Sequence, residues 1–583
     1  MKRIFFALTV SVWAMATPRM QSANVPPAVA PASPLASFVD RYSADRTALL
    51  RRYAADYSPE RYARLARFYT EWRHELKKIP YEPLNVEGRI DHVALSSRLE
   101  YELRLLAREQ AWVRETEALL PFAKSITDLL EARARLDSMD PRKAASTLDE
   151  ITRSIDGATK RVETVTPASS AVADADRTRK INAFRAAEIL TSYKTSLQEW
   201  SRFYSGYDPL FSWWTANPYA QTDKALAAYI KALRERVVGY KEGDDEPIIG
   251  NPIGRDGLVD DLKSEFIPYT PEELLKVAER EFAWCDREML KASREMGFGD
   301  DWKAALEKVK TLHVEPGKQT ELVRDLAREA EDYVEQRDLI TIPPLAKEDW
   351  RMIMMSPERQ KVSPFFLGGE QIIVSYPTDT MDHDDKMMSM RGNNIHFSRS
   401  TVFHELNPGH HLQQFMTARY SPHRRAFGTP FWTEGWALYW EMLLWDDGFP
   451  KTPENRVGML FWRMHRQARI IFSLRFHLGE WSPQQAIDFL VDRVGHERAN
   501  AEAEVRRSFN GTYPPLYQLA YMMGGLQFRA LHGELVASGK FTNRQFHDTV
   551  MQTGSMPVEL VRLSVTKQPP PAGFSTSWRF AGM

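Results

Sequence analysis

Cysteine is almost missing from this chain: Cys285 is the only one among 583 residues. That excludes a disulfide-stapled scaffold and any metal site built from several thiolates. An excess of one charge is missing too, because 77 Lys and Arg face 78 Asp and Glu, a formal net charge of −1. No global field attracts nucleic acid or an anionic membrane, so neither is expected as a partner. Long hydrophobic runs are scarce. The run from Ile4 to Ala16 falls short of the about 20 apolar residues that span a bilayer. Preceded by Lys2 and Arg3 and ending in Ala14-Met15-Ala16, it reads as a cleaved secretory signal, with Ala23 as a second cleavage point. The expectation is a periplasmic or secreted protein with no stable membrane insertion. It is not expected to be a lipoprotein, since no cysteine lies near the cleavage region. The G-x-S-x-G elbow of many serine hydrolases does not occur, and no internal repeat is evident.

What remains is an ordinary globular composition: 43% hydrophobic and 11% aromatic residues supply a sizeable core. After a signal at 1–23, residues 24–37 are rich in Pro and Ala and read as a tether. Apolar residues then recur at helical spacing, as in Leu95, Leu99, Leu103 and Leu106. Long helices are expected at 38–78, 93–107, 177–204 and 222–240. The Gly- and Pro-bearing stretch from Glu242 to Asp256 divides an N-terminal helical region, 38–245, from a second helical region, 246–583. Thr270-Pro271-Glu272-Glu273 carries the signature of a capped helix start. Cys285 lies on the apolar stripe Leu275, Ala278, Phe282, Met289 and reads as a buried structural thiol. Strand signals are few: Gln371–Tyr376 and a short second strand over Asn394–Ser398 predict a small sheet beside the densest histidine segment. Trp432, Trp436 and Trp440, four apart, read as a core stripe.

That histidine segment is Thr401-Val-Phe-His404-Glu405-Leu-Asn-Pro408-Gly409-His410-His411-Leu-Gln413. His-Glu on a helix matches the opening of H-E-x-x-H, where two imidazoles one turn apart bind zinc and the glutamate activates water. The position four after His404 is Pro408, which cannot be a ligand. In a regular helix His410 is rotated about 600° from His404, and His411 is back on the same face but ~10 Å along the axis. Proline and glycine together suit a helix that bulges. A two-residue bulge would place His410 where the second ligand belongs and aim His411 towards substrate, with His411 as ligand the alternative. A third ligand is sought on another helix, and Glu434 in Phe431-Trp432-Thr433-Glu434-Gly435-Trp436 is flanked by apolar residues, a setting in which a carboxylate needs a cation. Glu441, on the same face, fits an acceptor for a ligand histidine.

The segment His-Glu-x-x-Pro-Gly-His-His-x-Gln followed by Glu-Gly-Trp-Ala-x-Tyr resembles the bacterial family known as domain of unknown function 885, grouped with gluzincin-type zinc metallopeptidases. Weaker likenesses lie at Val93–Glu100, Thr270–Leu274, His477 with Trp481, Glu504–Arg507 and Gln518–Tyr521. Ser508 departs from the tyrosine that commonly follows there. The resemblance implies a large, mostly α metallopeptidase-like fold with a deep cleft and a small β-sheet next to the metal-binding helix, similar in style to angiotensin-converting enzyme. The 24 residues between His410 and Glu434 are close to the ligand separation in that enzyme, which favours His410 over His411.

The function expected is a zinc-dependent hydrolase acting on short peptides. Zn²⁺ would be held by His404, His410 and Glu434, with Glu405 as general base and Tyr521 or His477 steadying the oxyanion. His411, Arg506 and Arg507 are expected to touch substrate, the arginines by pairing with a peptide carboxylate. A hydrolase of another amide or ester shares every one of these residues. An inactive helical binding protein is the competitor from a different class, and the presence of Glu405 argues against it.

Overall fold

Side-chain caps set where many of the helices of this chain begin. In the computed structural model, which describes residues 32–164, 173–240, 247–360, 365–511 and 513–582, Thr270 opens the Pro271–Glu295 helix. Its hydroxyl accepts from the Glu273 amide at 3.2 Å, and the Glu273 carboxylate accepts from the Thr270 amide at 2.8 Å. Two amides that a helix start leaves without partners are thereby satisfied. Ser482 and Thr542 make the same reciprocal cap with Gln485 and Gln545. On the Thr270 helix the stripe through Leu275, Ala278, Phe282 and Met289 is buried, and burial pushes the Cys285 thiol up to about 12. Such a thiol is no nucleophile.

Helices fill the rest. Among the described residues there are 23 α-helices, amounting to 72% of the structure, against a single two-stranded sheet, so the class is mostly α. The expected signal peptide and residues 24–31 of the expected tether lie outside the described residues. The N-terminal periodicities become Ala36–Arg52, Pro59–Lys77 and Val86–Thr116, then Ala173–Ser205 and Pro209–Ala232. Each helix must bury an apolar stripe, and they do so in separate interiors. The described residues between Leu120 and Val238 close around Ile126, Leu148, Phe184 and Trp200. A larger core joins Val39, Leu65 and Leu99 to Leu258 and to most of the helices that follow it, so the first helices share an interior with the last ones.

The sheet corrects one expectation. Gln371–Val374 is a strand, but its partner is Arg351–Met354, paired in parallel with Met352 opposite Ile372. Asn394–Ser398 is no strand. Asn394 caps the Ile395–Glu405 helix, its carboxamide oxygen accepting from the His396 and Phe397 amides at 3.0 Å each. A side-chain acceptor at a chain turn starts a helix more effectively than a few residues of β propensity hold a strand. Ile372 and Val374 pack with Val402 and Leu406 in a third apolar cluster, which sets the sheet against the helix that carries His404.

Two further helices frame that region. Pro430–Asp446 buries Trp432, Trp436 and Trp440, and it meets Tyr517–Leu535 where Gly435 faces Gly524. A Cβ on Gly435 would lie 2.5 Å from the Gly524 Cα, so the two backbones touch because neither residue has a side chain.

Candidate metal centre

The Ile395–Glu405 helix ends at Glu405, and a new helix, His410–Arg419, starts at His410. The bulge expected at Pro408-Gly409 is therefore a full break: Leu406–Gly409 leave helical geometry altogether. Several observations explain it. Pro408 offers no N–H to continue the ladder. Leu406 turns into the apolar cluster behind the sheet. The Asn407 carboxamide donates to Glu331 at 2.8 Å and to the Ala346 carbonyl at 2.9 Å. The Gly409 amide donates back to the Phe403 carbonyl at 3.0 Å, and any Cβ on Gly409 would lie 2.0 Å from the His404 carbonyl oxygen. Trp436 donates its indole N–H to the Pro408 carbonyl at 2.9 Å, so the tryptophan stripe also holds this turn.

The break stacks His410 under His404, with ring centroids 4.8 Å apart and planes nearly perpendicular. Glu434 comes in from its own helix. Its Oε2 lies 3.5 Å from His404 Nε2 and 3.2 Å from His410 Nε2, and all three residues are buried. One ligand atom from each lies within 4.8 Å of the others. Tetrahedral zinc with bonds of ~2.0–2.1 Å sets its ligand atoms ~3.3 Å apart, so these donors fit a zinc ion. His404 Nδ1–H donates to Glu441 Oε1 at 2.7 Å, which fixes the tautomer that leaves Nε2 free as a ligand. The Tyr517 hydroxyl donates to Glu434 Oε1, leaving Oε2 for a cation. Burial alone would raise the Glu434 carboxyl, but His410 and His404 outweigh it and hold the group well below the usual carboxylate range.

Glu405 sits beside the cluster with its carboxyl raised to about 7, chiefly by burial and further by Glu434 and Glu441. The loop before the second strand packs against it: the Gly369 amide donates to the Glu405 carbonyl at 3.3 Å, and a Cβ on Gly368 would lie 2.1 Å from Glu405 Oε2. A cavity of about 250 Å³ opens on His404, Glu405, His410 and Glu434 and reaches Arg507 and Tyr521. The Tyr521 ring lies 6.2 Å from the His404 ring and nearly parallel to it. Its hydroxyl has no hydrogen-bond partner among the described residues.

Other expected site residues are elsewhere. His411 does not face this cavity, a correction to its expected substrate contact. Its Nε2 donates to the Ala346 carbonyl at 2.9 Å and lies 2.9 Å from Asp349 Oδ1, because the chain break sends adjacent side chains to opposite surroundings. His477 lines a separate cavity of about 510 Å³, wedged beside Phe476 and Phe509, with its ring lowered to about 3 by burial and by Arg108. It is not placed to meet an oxyanion at His404. Arg506 pairs with Glu502 at 3.0 Å and lines a third cavity, of about 630 Å³; one helix turns Arg507 inward and Arg506 away. The sequence reading missed Tyr517, Arg466, Arg469 and Tyr513, all on the 250 Å³ cavity. Arg466 and Arg469 did carry a signal: two cations three apart beside Met464, Ala468, Ile470 and Ile471 on the Pro453–His477 helix need partners once that segment is buried.

These features define a mostly helical protein whose C-terminal helices enclose a buried cluster of two histidines and a glutamate. The chain belongs to the family described as bacterial protein of unknown function, DUF885, which matches residues 44–565. No curated protein matches it. Two solved structures share the fold. One, from Shewanella oneidensis and described as a candidate lipoprotein of unknown function, has a TM-score of 0.67 at 19% identity, covering 92% of this chain and 100% of its own. The other, a candidate lipoprotein from Colwellia psychrerythraea, has a TM-score of 0.57 at 16% identity, covering 91% of this chain and 98% of its own. No helix among the described residues is long and apolar enough to cross a membrane.

Proposed function

We propose that this protein is a zinc-dependent hydrolase of the gluzincin kind that cuts peptide bonds of short peptides outside the cytoplasm. The observation that carries the reading is the convergence of His404 Nε2, His410 Nε2 and Glu434 Oε2, with His404 held from behind by Glu441. Lys2-Arg3 with the apolar run that follows, and the lipoprotein description of both solved relatives, support the extracytoplasmic location.

His404, His410 and Glu434 would hold the ion. Zn²⁺, when bound, supplies a water of lowered pKa and polarises the scissile carbonyl. Glu405 takes the proton of the attacking water and delivers it to the leaving amine, which a buried carboxylate next to the ligands and on the cavity wall is placed to do. The free Tyr521 hydroxyl donates to the developing oxyanion. Tyr517 and Glu441 keep Glu434 and His404 aimed, and Phe365 and Trp462 line the cavity and exclude water. Metal analysis of the purified protein together with digestion of a peptide library tests this. About one zinc per chain and peptide cleavage are expected, with Glu405→Gln keeping the zinc and losing ~10²-fold or more in turnover. A protein without zinc affinity, or a Glu405→Gln variant of wild-type turnover, would defeat the reading.

A further inference from the structure

His404, His410, Glu434 and Glu405 account for only part of the lining of the 250 Å³ cavity. Another part is made of Arg466, Arg469 and Arg507. All three are buried. Arg469 Nε donates to Glu504 Oε1 at 2.8 Å and Arg507 Nε to Glu504 Oε2 at 2.7 Å, while Arg466 reaches Glu441 Oε1 at 3.4 Å. Three guanidinium groups thus share two carboxylates. Glu405 and Glu434 also line this cavity, and Arg466 acts on Glu405, but the two histidines and the divalent ion they would hold draw on the same two carboxylates. Donors are also left over: Arg469 Nη1 and Arg466 Nε are buried without a hydrogen-bond partner. Desolvated cations with surplus donors attract an anion, and a planar guanidinium suits a carboxylate.

The arginines are close to the ligand histidine. The Arg466 and Arg469 guanidinium carbons lie 4.5 and 4.3 Å from the centre of the Tyr521 ring, the ring that lies 6.2 Å from that of His404. An extended residue spans about 3.3–3.6 Å, so a carboxylate on these arginines would be within about three residues of a bond held at His404. A cavity of about 250 Å³ is smaller than the ~300–1,000 Å³ that takes a drug-sized ligand, and it fits a chain end better than a chain passing through.

We infer that the Arg466, Arg469 and Arg507 cluster binds the C-terminal carboxylate of the substrate, making this a peptidase that cuts within three residues of a free C-terminus. The inference rests on the hydrolase reading for its cleavage and on the cavity alone for its carboxylate. Tyr513 and Tyr517, on the same cavity, would flank the terminal residues.

The test compares N-acetylated peptides with uncharged side chains, as free acid and as C-terminal amide, and maps the products by mass spectrometry. A third arm places one aspartate in the amidated peptide. Calorimetry with the zinc-loaded protein measures binding of an acid dipeptide and its amide. The acid should be cut near its end with kcat/KM about 10- to 100-fold above the amide, mostly through KM, as expected for a lost charge-assisted hydrogen-bond pair. Arg507→Gln should collapse that ratio towards one, and Arg507→Lys should keep part of it. If Arg507 variants do not fold, the acid and amide comparison on the wild-type protein decides. Equal binding and cleavage of acid and amide would overturn the inference, as would rescue by the aspartate alone, which would make the anchor an acidic side chain. Selective binding of the acid with no cleavage of any peptide would leave the carboxylate site standing and sink the hydrolase instead.

Discussion

His410 and His411 are neighbours in the chain whose imidazoles have different surroundings, and zinc content separates them. His410→Ala removes one of the three donors, and two protein ligands do not hold a catalytic zinc of ordinary affinity, so bound metal should fall from about one per chain to near zero. His411→Ala leaves the donors in place but deletes a buried bond to the Ala346 carbonyl. It should keep its zinc and lose about 1–3 kcal/mol of stability. Metal analysis and denaturant unfolding of the two variants check both statements, and zinc lost from the His411 variant alone would refute the assignment. The sequence could not choose with certainty between these two residues. The answer depends on Leu406 turning into the apolar cluster and on Asn407 reaching Glu331, and neither contact is a local property of the motif.

Between elements, the approach of the Glu434 helix to the Tyr517 helix is set by glycine. A Cβ on Gly524 would sit 2.3 Å from the Phe431 carbonyl oxygen and 2.7 Å from the Gly435 Cα. Both contacts are with backbone, which cannot rotate aside. Gly524→Ala should therefore force the helices apart and cost about 1–3 kcal/mol or more, with weaker zinc binding because Glu434 and Tyr517 ride on the two helices. Urea unfolding and zinc titration of the variant measure this, and a Gly524→Ala protein of wild-type stability would show that the contact is not tight. Helix existence was legible from the 3.6-residue periodicity and from caps such as Thr270. Helix contact was not, because Gly435 and Gly524 look alike in any helix until the two are brought face to face. The short strand expected at Asn394 failed for a related reason: a cap is decided by the direction the chain takes next.

Across the whole molecule, buried titratable groups outside the proposed metal ligands set the acid limit. His477, His496 and His547 are each held to about 3, first by burial. His547 is fixed neutral, its Nδ1–H donating to the Leu339 carbonyl and its Nε2 accepting from the Tyr439 hydroxyl. The unfolded chain takes up these protons near 6.5, so the stability they contribute is full above that pH and is lost as pH falls towards 3. Glu265 and Glu559 act in the opposite sense. Burial raises them to about 7, so their contribution is full below the ordinary 4.5 and is lost as pH rises. Between pH 6.5 and 4.5 the two glutamates offset only part of what the three histidines lose, so stability should decline gently. Below 4.5 the glutamates no longer differ from the unfolded chain, the histidines still do, and Glu504 joins them. Arg469 and Arg507 outweigh its burial and hold it to about 2, so its stabilisation is lost as pH falls from 4.5 through 2. Unfolding free energies from denaturant titrations should decline gently from pH 6.5 and then fall steeply below pH 4.5. A uniform slope from pH 7 to 3 would contradict the burial of these groups.

The amino-acid sequence by itself determined the mostly helical class, the burial of Cys285 and the tryptophan stripe, and a candidate ligand set of His404, Glu434 and one of the pair His410 and His411. Each depends on spacing or on residue chemistry that is local to one segment. Only the tertiary structure decided that His410 turns towards Glu434 while His411 turns away, that His477 and Arg506 belong to other cavities, and that Arg466, Arg469 and Tyr517 share the one cavity with the histidines. Those placements follow from how far apart two helix backbones can pack and from which buried charge finds which partner, and both are fixed by residues distant in the chain.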